Sequence, residues 1–150
     1  MARLEKSGLW PAILGCLWAR WWNRGPDAES SLKEKGDLGE SIALRYLRWR
    51  GWRLLDRNWR VPGGEIDLVV RRGRVVAFVE VRGREDGSVV EPERTVTPEK
   101  QRHVRFAAKQ YLARKGIDPR LYYRFDVIAV NFSGKGRPRV THYPDAFRDA

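Results

Sequence analysis

A chain of 150 residues is one domain's worth, long enough to bury a single hydrophobic core and too short for two large ones. It holds 30 Lys and Arg against 19 Asp and Glu, a formal net charge of +11, and this balance favours a polyanionic partner, nucleic acid or an anionic membrane surface, unless it reflects only a compositional bias toward arginine. Cys16 is the only cysteine, which excludes an intrachain disulfide and a cysteine-built zinc cluster, and His103 and His142 stand in no metal-binding spacing. A reducing, cytoplasmic compartment is the simplest expectation.

Residues 1–30 differ in composition from the remainder, 31–150, and hold Trp10, Trp18, Trp21 and Trp22. Pro11 suits a first helical position, and Ile13, Leu14, Leu17, Trp18 and Trp21 then gather on one face, an amphipathic segment. The apolar run from Leu9 to Trp22 includes Arg20 and falls short of the ~20 residues needed to span a bilayer. Docking on the domain or on a partner is expected ahead of membrane-surface association. The stretch from Gly25 to Lys35, rich in small and charged residues, reads as a linker.

From Asp37 to Arg50 the spacing predicts a helix, with Leu38, Ile42, Tyr46 and Trp49 on one stripe and Gly51 as its stop. Glu40 lies in line with Ala43, Leu44 and Leu47, at the edge of the apolar face. Trp52 to Arg60 reads as a short strand, and Val61-Pro62-Gly63-Gly64 leads into two further strands.

Those strands carry the most informative residues. Gly64-Glu65-Ile66-Asp67-Leu68-Val69-Val70 and Val75-Val76-Ala77-Phe78-Val79-Glu80-Val81-Arg82 alternate apolar and charged positions and flank Arg71-Arg72-Gly73-Arg74, a hairpin pattern. With Arg72-Gly73 as a two-residue turn, residue 67 opposes 78 and 65 opposes 80. Asp67 and Glu80 are then diagonal neighbours ~7–8 Å apart, a placement that is destabilising unless a positive charge lies between them. A hard divalent cation such as magnesium meets that need through oxygen ligands; the plainer alternative is a surface strand bearing weak ion pairs.

Gly83 to Thr97 reads as a polar loop beside the acids. Thr97-Pro98-Glu99 opens a second helix, Gly116 closes it, and Val104, Ala107, Ala108, Tyr111 and Leu112 form its buried face, with Lys100 on that face one turn earlier. Leu121 to Asn131 is a further strand containing Asp126, and Val140 to Tyr143 suits an edge strand. Helix, three strands, helix, strand is the order of an α/β mixed sheet flanked by helices.

Gly36-x-x-Gly39-Glu40-x-x-Ala43-x-x-Tyr46-Leu47, Asn58-Trp59-Arg60, Gly64-Glu65-Ile66-Asp67-Leu68, Phe78-Val79-Glu80-Val81, Thr97-x-x-Lys100 and Arg124-Phe125-Asp126-Val127 occur together in this order. Over about residues 33–148 the chain resembles the YraN-like bacterial family, regarded as related to archaeal Holliday junction resolvases within the PD-(D/E)XK nuclease superfamily. The resemblance implies a restriction-endonuclease-like core in which Asp67 and Glu80 bind Mg2+, with Mn2+ as substitute. It implies too that Glu40 matches an acid supplied by the first helix; in the endonuclease reading below, Glu65 is a further candidate metal ligand. The chain departs from the pattern at Arg82, where the family's usual run has lysine. Arginine stays protonated, so Arg82 can clamp a phosphate but is a poor base; Lys100 is the candidate to take over.

Three functions compete. The first is a Mg2+-dependent endonuclease on branched or structured DNA, with Asp67, Glu80, Arg82, Glu40 and Lys100 catalytic. Arg45, Arg48, Arg50, Arg53, Arg57 and Arg60 would then grip the DNA backbone with steep salt dependence, and a homodimer would suit symmetric cutting of a four-way junction. The second is a nucleic-acid-binding module with little or no catalysis. The third is a membrane-surface or partner-docking protein acting through the Trp-rich segment.

Overall fold

The computed structural model describes residues 32–84, 96–132 and 136–148. The Trp-rich segment and most of the loop expected after Gly83 lie outside the described residues. In chain order the elements are α1 (Leu32–Trp49), β1 (Arg53–Val61), β2 (Gly64–Arg72), β3 (Val75–Arg84), α2 (Pro98–Lys115), β4 (Tyr122–Asn131) and β5 (Arg139–Phe147). The strands form one sheet in the order β1-β2-β3-β4-β5. All neighbours run antiparallel except β3 and β4, which are parallel. A parallel pair needs a crossover connection, and α2 supplies it. A mixed sheet between two helices is the restriction-endonuclease-like α/β class expected from the sequence, with β5 as an edge strand.

Each face of the sheet has its own core. On one, Ile42, Ala43, Leu44 and Leu47 of α1 pack with Trp52 on Leu68, Val70, Ala77, Val79, Ile128 and Val130. On the other, Val104, Ala107, Ala108 and Tyr111 of α2 pack on Ile66, Val69, Val76, Phe78, Phe125 and Val127. The central strands β2 to β4 are therefore apolar on both sides, as a sandwiched sheet requires. Two expectations for α1 are corrected. Leu32–Lys35 belongs to the helix, so the linker ends earlier than Lys35. Trp49, placed on the buried stripe, is 82% exposed while Trp52 is 4% exposed; the helix ends at residue 49, and the turn after it delivers the next tryptophan to the core.

The second helix starts as its sequence dictates. Thr97 Oγ1 accepts a hydrogen bond from Lys100 N at 3.2 Å, Pro98 occupies the first turn, and Gly116 ends the helix with φ 57°. The hairpin turn differs from expectation. Arg72 pairs with Val75, so the turn is Gly73-Arg74 and the register moves by two residues. Gly73, with φ 58°, takes the first turn position, where a two-residue hairpin of this kind needs a residue free of a Cβ. Because the shift is even, it sends no side chain to the other face; continued past its last pair, this register sets Asp67 opposite Glu80 rather than diagonal to it.

The ladder between β2 and β3 stops at Leu68–Val79, although β2 continues to pair with β1 down to Gly64–Val61. Ile66 faces α2 while Leu68 faces α1, so strict alternation breaks at Asp67. The partner strand breaks at the matching place. Arg57 pairs with Leu68 and Trp59 with Ile66, and Asn58 between them has φ 52°, a conformation asparagine tolerates better than most residues. The twist swings the first half of β2 away from β3 and opens a gap in the sheet.

Candidate functional site

Asp67 sits where β2 leaves β3. Its Oδ2 accepts a 2.7 Å hydrogen bond from Val81 N, so the side chain takes over a backbone donor just beyond the last β2–β3 pair. Glu80, on the facing strand, is 3% exposed. Burial pushes the Asp67 carboxyl up to about 6, a rise that the Val81 hydrogen bond and Lys100 oppose and Glu40 and Glu65 reinforce. Burial and then the Asp67 charge push the Glu80 carboxyl up to about 7, against the pull of Lys100 and Arg82. A half-buried acid and a buried one thus confront each other across the gap.

Lys100 approaches from the first turn of α2. Its Nζ is 2.8 Å from Glu65 Oε1 and 3.5 Å from Glu80 Oε1. Burial alone would lower its pKa, but Glu65, Glu80 and Asp67 outweigh that and hold it above the ordinary lysine value. The Glu65 carboxyl is in turn held below its usual range, chiefly by its hydrogen bond to Lys100. Arg82 Nη2 lies 3.3 Å from Glu80 Oε1, the oxygen Lys100 also approaches. Glu80 Oε2, fully buried, has no hydrogen-bond partner.

Helix α1 brings Glu40 to the other side of the gap. Arg57 Nε is 3.1 Å from Glu40 Oε2, and Arg57 Nη2 reaches Asp37 O and Ser41 Oγ, both at 3.3 Å. Arg57, expected on the DNA backbone, is therefore engaged in clasping α1 to β1 beside Glu40. Of the other expected arginines, Arg50 stacks on the Tyr46 ring at 3.7 Å, Arg45 is half-buried, and Arg48 and Arg53 are exposed. Arg60 is exposed near the acids, its Nε 3.7 Å from Glu65 Oε2.

A groove of about 270 Å³ adjoins the acids, lined by Arg60, Val61, Gly64, Glu65, Lys100 and His103. His103 gives no sign of this in the sequence beyond its place one turn after Lys100. Gly64 explains how α2 comes so near: a Cβ there would lie 2.3 Å from His103 O. A second polar cluster, unforeseen as a unit, is centred on a fully buried acid. Asp126, 0% exposed, pairs with Arg124 Nε at 2.9 Å and His142 Nε2 at 2.8 Å, and accepts from Asp145 N at 3.0 Å. It fastens the irregular end of β5, where Asp145 has φ 54°.

Among the described residues no three His, Cys, Asp or Glu side chains are gathered as a finished metal site, and Lys100 bridges two of the acids instead. The donor set nonetheless fits a hard divalent cation. It is all carboxylate oxygen, it includes an unpartnered buried oxygen on Glu80, and burial pushes its Asp67 and Glu80 carboxyls upward, a shift that a bound cation would reverse. Among the described residues no helix is long and apolar enough to cross a membrane.

The model of the family described as "Uncharacterised protein family UPF0102" matches residues 39–130, from Gly39 in α1 to Val130 in β4. The chain is 50% identical over 113 residues to a UPF0102 protein of Anaeromyxobacter dehalogenans, covering 75% of this chain and 82% of the relative. It is 43% identical over 116 residues to one of Geobacter metallireducens, covering 77% and 93%, and 42% identical over 120 residues to one of Myxococcus xanthus, covering 80% and 94%. With Asp67, Glu80 and Lys100 all inside the matched span, the chain belongs to the UPF0102 family, the assignment to which its YraN-like motifs point.

Proposed function

We propose that this protein is a divalent-metal-dependent endonuclease that hydrolyses phosphodiester bonds in structured DNA. The observation that carries the reading is the pair of acids, half-buried Asp67 and buried Glu80, facing each other where β2 leaves β3, with a lysine ammonium joined to one of them. A structural ion-pair network would have little use for two carboxyls pushed toward neutrality, whereas strongly shifted acids in a cleft are a feature of functional sites.

Asp67 and Glu80 would hold the metal, with Glu65 and Glu40 as neighbouring carboxylates able to join. Bound there, magnesium would supply Lewis-acid charge to a phosphoryl oxygen and ease deprotonation of water at neutral pH. Lys100, held protonated by three acids, acts as positive charge beside the phosphate rather than as a base. Arg82 adds a second fixed charge from β3, and exposed Arg60 lies where the DNA backbone would enter the groove. The net charge of +11 suits such a ligand. Lysine chemistry absent at position 82 is thereby available from α2.

A second reading, a DNA-binding module that does not cut, draws on Arg82, which cannot act as a base and is drawn to Glu80 at 3.3 Å. One experiment separates the two. Purified protein is incubated with forked, four-way and linear DNA in magnesium or manganese, beside Asp67→Ala and Glu80→Ala. Cutting lost in both variants supports the nuclease; binding by all three proteins with no cutting supports the module.

A further inference from the structure

The end of the sheet opposite the acid cluster is built from arginine. Residues 48–55 and 68–79 together hold six arginines and no Asp or Glu, and the fold brings the two stretches to one place. Arg53 at the start of β1 pairs directly with Arg71 near the end of β2, and Arg72 pairs with Val75 across the turn that carries Arg74. Like charges set opposite each other on neighbouring strands are destabilising unless an anion joins them. Arg50, Arg53, Arg72 and Arg74 are all exposed.

Carbonyls and rings hold three of these side chains. Arg72 Nη1 donates to Arg50 O at 3.0 Å while its guanidinium lies 4.8 Å from the centre of the Trp52 ring. Arg50 covers the Tyr46 ring, and Arg74 Nη2 donates to Arg120 O at 3.1 Å. Such contacts fix the direction of a guanidinium and leave its charge in place. Among the described residues the acid beside them is Asp118, paired with Arg120 at 2.9 Å; its carboxyl is held below the usual range by Arg120 and then by Arg74 and Arg71.

Planar guanidiniums held in fixed directions suit phosphate oxygens. Spread over adjacent strands, they suit a chain of phosphates better than one small anion. Arg72 follows Asp67 by five residues of β2, ~17 Å, which is about five phosphate steps along one strand of DNA. We propose that this arginine end of the sheet is a second binding surface for nucleic-acid backbone, separate from the acid cluster. The proposal rests on the nucleic-acid reading above and gives the DNA a second anchor away from the cut. Phospholipid headgroups carry the same phosphate, and Trp49, 82% exposed beside Arg50, would suit them too. Nucleic acid is preferred because one such polymer spans both ends of β2.

The test is binding in a chelator, so that nothing is cut. Fluorescence anisotropy would follow the full-length protein with a labelled duplex of about two helical turns over a range of salt concentrations. The double variant Arg53→Gln/Arg72→Gln is expected to bind about tenfold more weakly, with a slope of log affinity against log salt less steep by about two, close to 0.9 per phosphate contact. Arg53→Lys/Arg72→Lys, which keeps the charge, should stay within about threefold of wild type. The tenfold loss should recur in an Asp67→Ala background, because sites ~17 Å apart act additively. Should the glutamine pair fail to fold, exposed Arg53→Gln alone reads about one unit of slope. Unchanged affinity and slope, or a loss that vanishes in the Asp67→Ala background, would overturn the second surface. So would vesicles of phosphatidylserine and phosphatidylcholine that bind wild type and lose the glutamine variant while duplex binding is kept. The cleavage assay reads the acids and this assay reads the arginines, so either can fail without the other.

Discussion

Glu80 is the residue whose ionisation the fold resists most plainly, and replacing it with glutamine should stabilise the protein. The carboxyl titrates near 4.5 in an unfolded chain and is pushed up to about 7 in the folded one, first by burial and then by Asp67. Below pH 4.5 both states hold the proton and the folded state keeps its full advantage. As pH rises the unfolded chain releases the proton first, so stability falls progressively and levels off above about pH 7. At ~1.4 kcal/mol per tenfold change in proton affinity, the ionised Glu80 costs the folded state about 3 kcal/mol at pH 8. Glu80→Gln mimics the neutral acid at every pH, and allowing for hydrogen bonds the amide does not reproduce, it should gain about 2 kcal/mol at pH 8 and almost nothing at pH 4.5. Urea unfolding in a chelator, followed through tryptophan fluorescence at both pH values, reads the difference. A variant less stable than wild type at pH 8 would refute the reasoning, because it would mean the carboxylate is well compensated by Lys100 and Arg82. Adding magnesium should then stabilise the wild type and leave Glu80→Gln nearly unmoved.

Lys100→Ala should lower cleavage of structured DNA by a hundredfold or more, whereas Arg82→Lys should change it by less than about threefold, since the ammonium already comes from α2; steady-state cleavage of one forked substrate compares them. Gly64→Ala places a Cβ against His103 O and should cost about 3 kcal/mol in denaturant unfolding, with a native-like midpoint refuting the close approach of β2 and α2. Asp126→Ala strips Arg124 and His142 of their buried partner and should cost about 3–5 kcal/mol by the same measurement.

Much of this arrangement is written in local residue chemistry. The second helix is legible because Thr97, Pro98 and Gly116 each act within one turn, and Lys100 follows from its spacing to Val104. The hairpin is legible as a hairpin, but its register depends on whether Gly73 takes the first or second turn position, a choice of backbone dihedral that alternation does not encode. An even shift preserved the shared pocket; an odd one would have sent the acids to opposite faces. The gap itself is hidden. Period-two patterning assumes a regular strand, whereas Asn58 and Asp67 break the period on two neighbouring strands together, and only their pairing reveals it. Trp49 misled because helical spacing identifies a stripe without saying where the sheet beneath it ends. The extent of β5 was hidden for a related reason: Pro144 and Asp145 look like breakers, and what holds them in a strand is Asp126, far away in sequence.

The proposed function requires that Asp67 and Glu80 together take up a divalent ion. Titrating the full-length protein with manganese, and following free Mn2+ by its electron paramagnetic resonance signal, measures this without relying on catalysis. Saturable uptake by the wild type, at least tenfold weaker in both Asp67→Asn and Glu80→Gln, is the predicted result. Uptake unchanged in both variants, or none in the wild type at millimolar manganese, would contradict it.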